Sequence, residues 1–155
     1  MQREALSLGI EHTGWVSSDR APEKPWLVVE YDGTESAFIE QFRQPGAGLY
    51  TASGLDFFYR FQPSVHALPD GGVFTVGDRV TGDLLLEITT APGRIERFVS
   101  AVRQYAERTG DSPAYRVKLW TETQVADFEK EAFLVYSAEG GLLRQRSLIP
   151  DWIEM

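Results

Sequence analysis

The feature that most constrains the fold is a seven-residue segment, LDFFYRF at residues 55–61, in which two sets of side chains alternate. Successive side chains of a β-strand point to opposite faces of the sheet. One face would carry only apolar or aromatic side chains: Leu55, Phe57, Tyr59 and Phe61. The opposite face would carry Asp56, Phe58 and Arg60. A strand of this kind needs a second layer over its apolar face, so the segment predicts a sheet packed under helices.

Strand patterns also occur on both sides of the aromatic segment. Short apolar runs bounded by turn residues predict strands at 26–31, 73–76, 84–89 and 114–120. The aromatic segment itself lies in a predicted strand over 49–61. Strands are therefore distributed along the whole middle of the chain.

The clearest helix pattern covers residues 92–109. Apolar residues recur there every three or four positions, as on the buried face of an amphipathic helix. Thr90 is expected to cap the start of this helix, with Pro92 in its first turn. Gly110 is expected to end it, because glycine is common just past a helix terminus.

Two weaker helix patterns flank this core. Asp32 or Thr34 can cap a helix that runs to about Gln44. A third helix is predicted after the capping sequence TETQ at residues 121–124. Its apolar side would carry Val125, Phe128 and Ala132.

The elements between residues 26 and 120 follow the order β-α-β-β-α-β. This order predicts an α+β fold of the ferredoxin-like type, an antiparallel sheet with both helices on one face. Residues 1–25 would form an N-terminal extension, whose first part is either a short helix or an extra strand. Residues 121–155 would add a C-terminal helix and a β-hairpin. A chain of 155 residues fits a single globular domain.

Composition excludes several classes of site and partner. The chain has no cysteine, which excludes disulfides, thiolate metal sites and cysteine nucleophiles. Its net charge of −8 disfavours nucleic acid and anionic membranes and suits a basic partner protein. No segment has the pattern of a signal peptide or a membrane span. We therefore expect a cytoplasmic protein that binds neither nucleic acid nor membrane, and we predict no metal or cofactor.

Four polar residues are candidates for a ligand pocket between the sheet and a loop: Tyr59, Arg60, His66 and Glu87. His66 lies in a loop between two prolines, where a histidine can act as a general base. Asp70 could orient it. Glu87 interrupts an apolar strand, and it would form either an acid–base pair with Glu30 or ion pairs with neighbouring cations.

Four other residues are candidates for an interface: Phe58, Arg116, Lys118 and Trp152. Phe58 and Arg60 would lie on the open face of the predicted sheet beside Arg116 and Lys118. Trp152 is an apolar residue near the chain end that would dock on this subunit or on another. These residues would support self-association or binding of a protein partner.

The sequence contains no catalytic or cofactor motif. The preferred hypothesis is a non-enzymatic protein-interaction or regulatory domain, either oligomeric or bound to another protein. The alternative hypothesis is a small-ligand-binding protein or enzyme with a pocket near Arg60 and His66.

Overall fold

The computed structural model describes residues 6–41, 54–62 and 71–150. In chain order, this part of the molecule contains β1 (Leu6–Glu11), β2 (Trp26–Tyr31), α1 (Glu35–Gln41), β3 (Leu55–Phe61), β4 (Gly72–Asp78), β5 (Leu84–Thr89), α2 (Pro92–Thr109), β6 (Tyr115–Trp120), β7 (Gln124–Lys130) and β8 (Leu134–Tyr136). The described residues are therefore mostly β-structure, with α2 as the one long helix among them.

The strands form two four-stranded mixed sheets. The first sheet has the order β1-β2-β6-β7, and the second has the order β5-β4-β3-β8. The β2–β6 and β3–β8 pairs are parallel, and the other neighbours are antiparallel. The predicted ferredoxin-like fold, with a single antiparallel sheet under two helices, is wrong.

The prediction failed because local sequence patterns specify strands but not their partners. It placed the segments 26–31 and 55–61 in one sheet. In the structure, these two segments belong to different sheets. Segment 26–31 is β2 of the first sheet, where it pairs with β6, and Trp26 lies opposite Arg116. One helix of 18 residues cannot cover the inner faces of eight strands. The two sheets therefore face a common core, to which α2 also contributes.

The core confirms the alternation predicted for the aromatic strand. Leu55, Phe57 and Tyr59 of β3 are buried, whereas Phe58 is half-buried and Arg60 is exposed. A larger set of buried apolar residues from both sheets and both helices completes one hydrophobic cluster, including Leu27, Val29, Phe38, Phe74, Val76, Phe98, Val102, Tyr115, Val117 and Phe133. The apolar face of β3 is thus the inside of the protein.

The long helix forms where its periodicity predicts it. It begins at Pro92, and Gly110 ends it with a left-handed backbone (φ 79°). The predicted cap is wrong, because Ala91 occupies the N-cap position and provides no side-chain hydrogen bond. The hydroxyl of Thr90 donates instead to the carbonyl of Ile88 at 3.2 Å.

The predicted C-terminal helix after residue 121 is also wrong, because this segment forms β7. Strand β7 pairs antiparallel with β6, and this register sets opposite charges side by side. Arg116 lies opposite Glu129, and Lys118 lies opposite Asp127. Cross-strand pairs of opposite charge stabilise a sheet, and this tertiary pairing outweighs the helical spacing of the apolar residues.

The two ends of the described chain are built into the sheets. Strand β1 lies within the predicted extension, where the strand alternative is correct, and it pairs antiparallel with β2. At the other end, the predicted hairpin is reduced to β8 and two isolated bridges, Phe133–Leu148 and Tyr136–Leu142. The turn within the predicted hairpin is present, and Gly140 adopts a left-handed conformation there (φ 92°).

Two adjacent glycines offer a matched test of the packing against β3. A Cβ atom at Gly72 would lie 2.2 Å from the Tyr59 hydroxyl, whereas one at Gly71 would meet nothing within 4 Å. Because Tyr59 is fully buried, its ring has little room to move. We expect Gly72→Ala to lower the free energy of unfolding by about 1–3 kcal/mol, as measured by urea denaturation. Gly71→Ala is the control, and equal effects of the two substitutions would contradict this account.

Candidate functional site

A pocket of ≈ 470 Å³ opens where the outer face of the second sheet meets the end of β7. Both sheets and the turn after β4 contribute to its lining: Asp56, Phe57, Phe58, Arg79, Lys130, Ala132, Leu134 and Tyr136. Three of these side chains are charged, and the remainder are aromatic or aliphatic. The pocket is therefore an apolar cleft with a few charged groups, which is the usual composition of a small-molecule site.

Lys130 is the buried charged residue of this pocket. As the last residue of β7, it lies on the same side of the strand as Phe128 and is only 7% exposed. Its ammonium group donates a hydrogen bond to the carbonyl oxygen of Leu55 at 2.8 Å. The same nitrogen lies 5.9 Å from the centre of the Phe57 ring. These contacts fix the ammonium group at the junction of the two sheets.

The surroundings of Lys130 alter its proton affinity. The pKa of Lys130 is lowered from 10.5 to about 8, mainly by burial and to a smaller extent by the nearby Arg79, whereas Asp56 acts in the opposite direction. At neutral pH the side chain is still mainly protonated, because the lowered pKa remains above 7. The pocket therefore contains a buried cation near neutrality and loses that charge in mildly alkaline solution.

Asp56 and Arg79 form an ion pair beside this buried lysine. The Nε atom of Arg79 donates to Oδ1 of Asp56 at 2.8 Å, and both side chains are partly exposed. The turn that follows β4 positions Arg79, since the carboxylate of Asp78 accepts hydrogen bonds from the backbone of Val80 and Thr81. The charged lining thus consists of two cations and one carboxylate.

The apolar wall comes from β3 and β8. Phe58 lies opposite Leu134 in the parallel register of these two strands. Its ring contacts the ring of Tyr136 edge-on, with 6.0 Å between the ring centres. Burial raises the pKa of Tyr136, and the charge of Asp56 adds to the effect. The Tyr136 hydroxyl therefore stays protonated up to at least pH 10.0, the ordinary pKa of tyrosine.

The structure does not bring the four predicted ligand residues together. Tyr59 is buried in the core, where its hydroxyl donates to the carbonyl of Thr90 at 2.6 Å. Burial raises the pKa of Tyr59 to about 12, with a smaller contribution from Glu96. The Tyr59 side chain therefore lies in the core and outside the lining of the pocket, and its role in ligand binding stays a prediction.

The other three candidates lie at separate places. Arg60 is exposed and donates to the carbonyl of Ala138 at 2.9 Å, next to the pocket but outside its lining. Glu87 lies on the second sheet opposite Thr75, whereas Glu30 lies on the first sheet. Glu30 and Glu87 therefore lie on different sheets, and an acid–base role for Glu87 stays a prediction. His66, and Asp70 with it, lies outside the described residues.

The predicted interface residues divide between the two sheets. Phe58 belongs to the second sheet and lines the pocket, whereas Arg116 and Lys118 lie on the outer face of the first sheet. Lys118 lies over the ring of Trp120, with 4.4 Å from its nitrogen to the ring centre. The structure therefore does not bring Phe58 and Arg60 onto the same sheet as Arg116 and Lys118, and an interface role for these residues stays a prediction. Trp152 lies outside the described residues.

Sequence reasoning missed Lys130 because it assigned this segment to a helix. A strand assignment would have shown a lysine in phase with Ala126 and Phe128, on a face that is otherwise apolar. Lys130 is also one of only three lysines in the chain. A rare cation at an apolar strand position is the signal that would have identified the pocket.

The buried lysine predicts a distinctive pH dependence of stability. The unfolded chain keeps the Lys130 proton up to about pH 10.5, whereas the folded protein releases it through about pH 8. Because the unfolded state then binds more protons, the free energy of unfolding should rise with pH across this interval. Above the ordinary tyrosine pKa of 10.0, this free energy should fall again, since folding raises the pKa of Tyr59 and Tyr115.

Urea denaturation of the wild type and two lysine variants tests this pH dependence. Lys130→Met should abolish the rise in unfolding free energy between about pH 8 and pH 10. Lys118→Met leaves the buried amine in place and should preserve it. The same slope in Lys130→Met as in the wild type would show that another group causes the rise.

No helix among the described residues is long and apolar enough to cross a membrane. In that same part of the chain, no group of three or more His, Cys, Asp or Glu residues is placed to hold a metal ion.

Comparison with known proteins places the chain in a family without assigning an activity. No curated protein and no solved structure matches it significantly. A family model described as a family of unknown function, DUF5793, matches residues 1–155, the whole chain. The protein therefore belongs to the DUF5793 family.

Proposed function

We propose that this protein binds a small carboxylic acid with an apolar body in the pocket around Lys130. The observation that carries the proposal is a buried ammonium group at one side of a cleft whose other walls are mainly apolar. Burial of an ammonium group is costly unless an anion or polar groups compensate it. A ligand carboxylate would add a charged partner to the hydrogen bond that the ammonium group already donates to the carbonyl of Leu55.

The dimensions and walls of the pocket suit such a ligand. A volume of ≈ 470 Å³ falls within the range of about 300–1,000 Å³ that small-molecule sites occupy. Phe58, Leu134 and Tyr136 provide a continuous apolar wall for a hydrocarbon chain or an aromatic ring. The area of that wall favours an amphipathic acid over a strongly hydrophilic anion such as phosphate.

The charge balance also favours an anion. Two cations and one carboxylate line the pocket, although the whole chain carries a net charge of −8. The Asp56–Arg79 ion pair shows that a carboxylate fits beside these cations. Charge-assisted hydrogen bonds between an ammonium group and a carboxylate are among the stronger ones in proteins. The ligand acid group would therefore lie beside Lys130.

The hypothesis of a protein partner or of self-association stays a prediction, as does a cytoplasmic location. On the outer face of the first sheet, the cations predicted to contact a partner already interact with residues of their own chain. Arg116 pairs with Asp127 at 2.6 Å, and Lys118 lies against two tryptophan rings of its own chain, Trp26 and Trp120. These cations already interact within the subunit, so we base the proposal on the pocket.

Matched acids and alcohols test whether the buried ammonium group recognises a carboxylate. Phenylacetate and octanoate are titrated against phenylethanol and octanol, with the amide resonances of Phe58, Leu134 and Tyr136 as the readout. We expect the acids to bind about tenfold more tightly than the alcohols, because one charge-assisted hydrogen bond contributes about 1.5–3 kcal/mol. Affinity for the acids should fall as the pH rises through about 8.

Two variants distinguish recognition of a carboxylate by Lys130 from nonspecific electrostatic attraction of acids to the protein. Lys130→Met should remove the preference for acids and still bind the alcohols, which also shows that the variant is folded. Lys118→Met should retain the preference. Failure of every probe to move the pocket resonances, or an unchanged preference in Lys130→Met, would refute the proposal.

A further inference from the structure

The amine of Lys130 is both buried and part of a pocket wall. The residue is only 7% exposed, and it lines the pocket of ≈ 470 Å³ together with Asp56, Phe57 and Arg79. Its nitrogen lies 2.8 Å from the carbonyl oxygen of Leu55 and 5.9 Å from the centre of the Phe57 ring. The charges of Arg79 and Asp56 both act on it. The reactive end of the side chain is therefore grouped with the lining of the pocket.

This environment has the two features that activate a lysine as a nucleophile. An ammonium group has no lone pair, so a lysine attacks an electrophile only in its neutral form, which an apolar pocket or a second cation favours. Lys130 has both, in the ring of Phe57 and the guanidinium of Arg79. With its pKa lowered to about 8, its neutral fraction at about pH 7.5 is roughly 200 times that of a lysine with the ordinary pKa of 10.5.

The hydrogen bond to Leu55 suits a covalent adduct as well as the free amine. A protonated Schiff base keeps the positive charge of the lysine and one N–H group. That N–H group can still donate to the carbonyl oxygen of Leu55, which now accepts from the ammonium group at 2.8 Å. A Schiff base at this position therefore leaves the buried carbonyl oxygen with a donor.

We propose that Lys130 is a nucleophile that forms a Schiff base with an aldehyde carrying an apolar body. The wall of Phe58, Leu134 and Tyr136 would hold that body. The inference rests on the proposed function, because the same wall would hold the body of a bound acid. It goes beyond that function, because it assigns covalent chemistry to the pocket and names a second class of ligand.

The reaction balances without any further reactant. The lone pair of the neutral amine attacks the carbonyl carbon, and the carbonyl oxygen takes up a proton to give a carbinolamine. A C=N bond then replaces the C–O bond, and the oxygen leaves as water with its bonding electron pair. Overall, an ammonium group and an aldehyde give a protonated imine and water. Both protons of the water come from the ammonium group, and nothing is oxidised or reduced.

Reductive trapping with hydrocinnamaldehyde and cyanoborohydride tests the proposal, because the reductant converts a protonated imine to a stable secondary amine. Peptide mapping by mass spectrometry then locates the adduct. At about pH 7.5 we expect Lys130 to be modified about tenfold faster in the folded protein than in protein unfolded in urea, because the fold supplies the neutral amine. Lys118 lies outside the pocket and should show no such preference for the folded state.

Two arginine variants test whether the pocket activates the amine. Arg79→Gln removes the neighbouring cation and leaves Lys130 in place, so it should move the pH dependence of Lys130 modification to higher pH. Arg60→Gln is the control, because Arg60 lies next to the pocket but outside its lining. The same pH dependence in both variants would overturn the proposal. Acetaldehyde lacks the apolar body, and an equal preference for Lys130 with this reagent would overturn the assignment of the ligand class.

The Schiff base and acid binding can fail separately. Lys130→Arg keeps a cation in the pocket but cannot form an imine, so it should retain the preference for acids over alcohols. Binding of phenylacetate in the wild type, with Lys130 modified no faster in the folded than in the unfolded protein, would overturn the Schiff base alone. Fold-dependent modification of Lys130 without binding of any acid would support the Schiff base and refute acid recognition.

Discussion

The packing of Phe133 is the interaction on which the rest of the structure depends. This fully buried ring stacks on Phe74 of the second sheet, with 6.2 Å between the ring centres. It also contacts Phe98 of α2 and Tyr115 of the first sheet edge-on, at 5.4 and 6.2 Å. One side chain therefore joins both sheets and the long helix in a single core, and aromatic contacts of this geometry add to the free energy of simple burial.

The same residue explains where the Lys130 pocket lies. Phe133 sits in the short connection through which the chain passes from β7 in the first sheet to β8 in the second. Lys130 precedes this crossing and Leu134 follows it, and both line the pocket. We attribute the cleft to this crossing. Two sheets that share a core leave a gap where the chain passes from the end of β7 in the first sheet to the start of β8 in the second. The pocket therefore borders the buried aromatic cluster around Phe133.

The candidate sites show which of their residues the sequence patterns could identify and which they could not. The two-residue alternation of β3 identified the buried face correctly, because every second side chain must be apolar to face the core. The pattern also placed Phe58 on the opposite face, where it lines the pocket. It did not identify Lys130, because the three-residue spacing of Val125 and Phe128 is typical of a helix and led to a helix assignment. The helix assignment therefore gave no indication that Lys130 is the buried cation of the pocket.

The sequence by itself determined the long helix, most of the strands and the inward face of β3, since these features depend on periodicity and local backbone preferences. Only the tertiary structure decided which strands are neighbours. The pairing of β6 with β7 converted a helical pattern into a strand, because cross-strand partners and burial outweigh weak local propensity. The Lys130 pocket is built from residues distant in sequence, such as Asp56 with Lys130. Its chemistry therefore arises only when the sheets form.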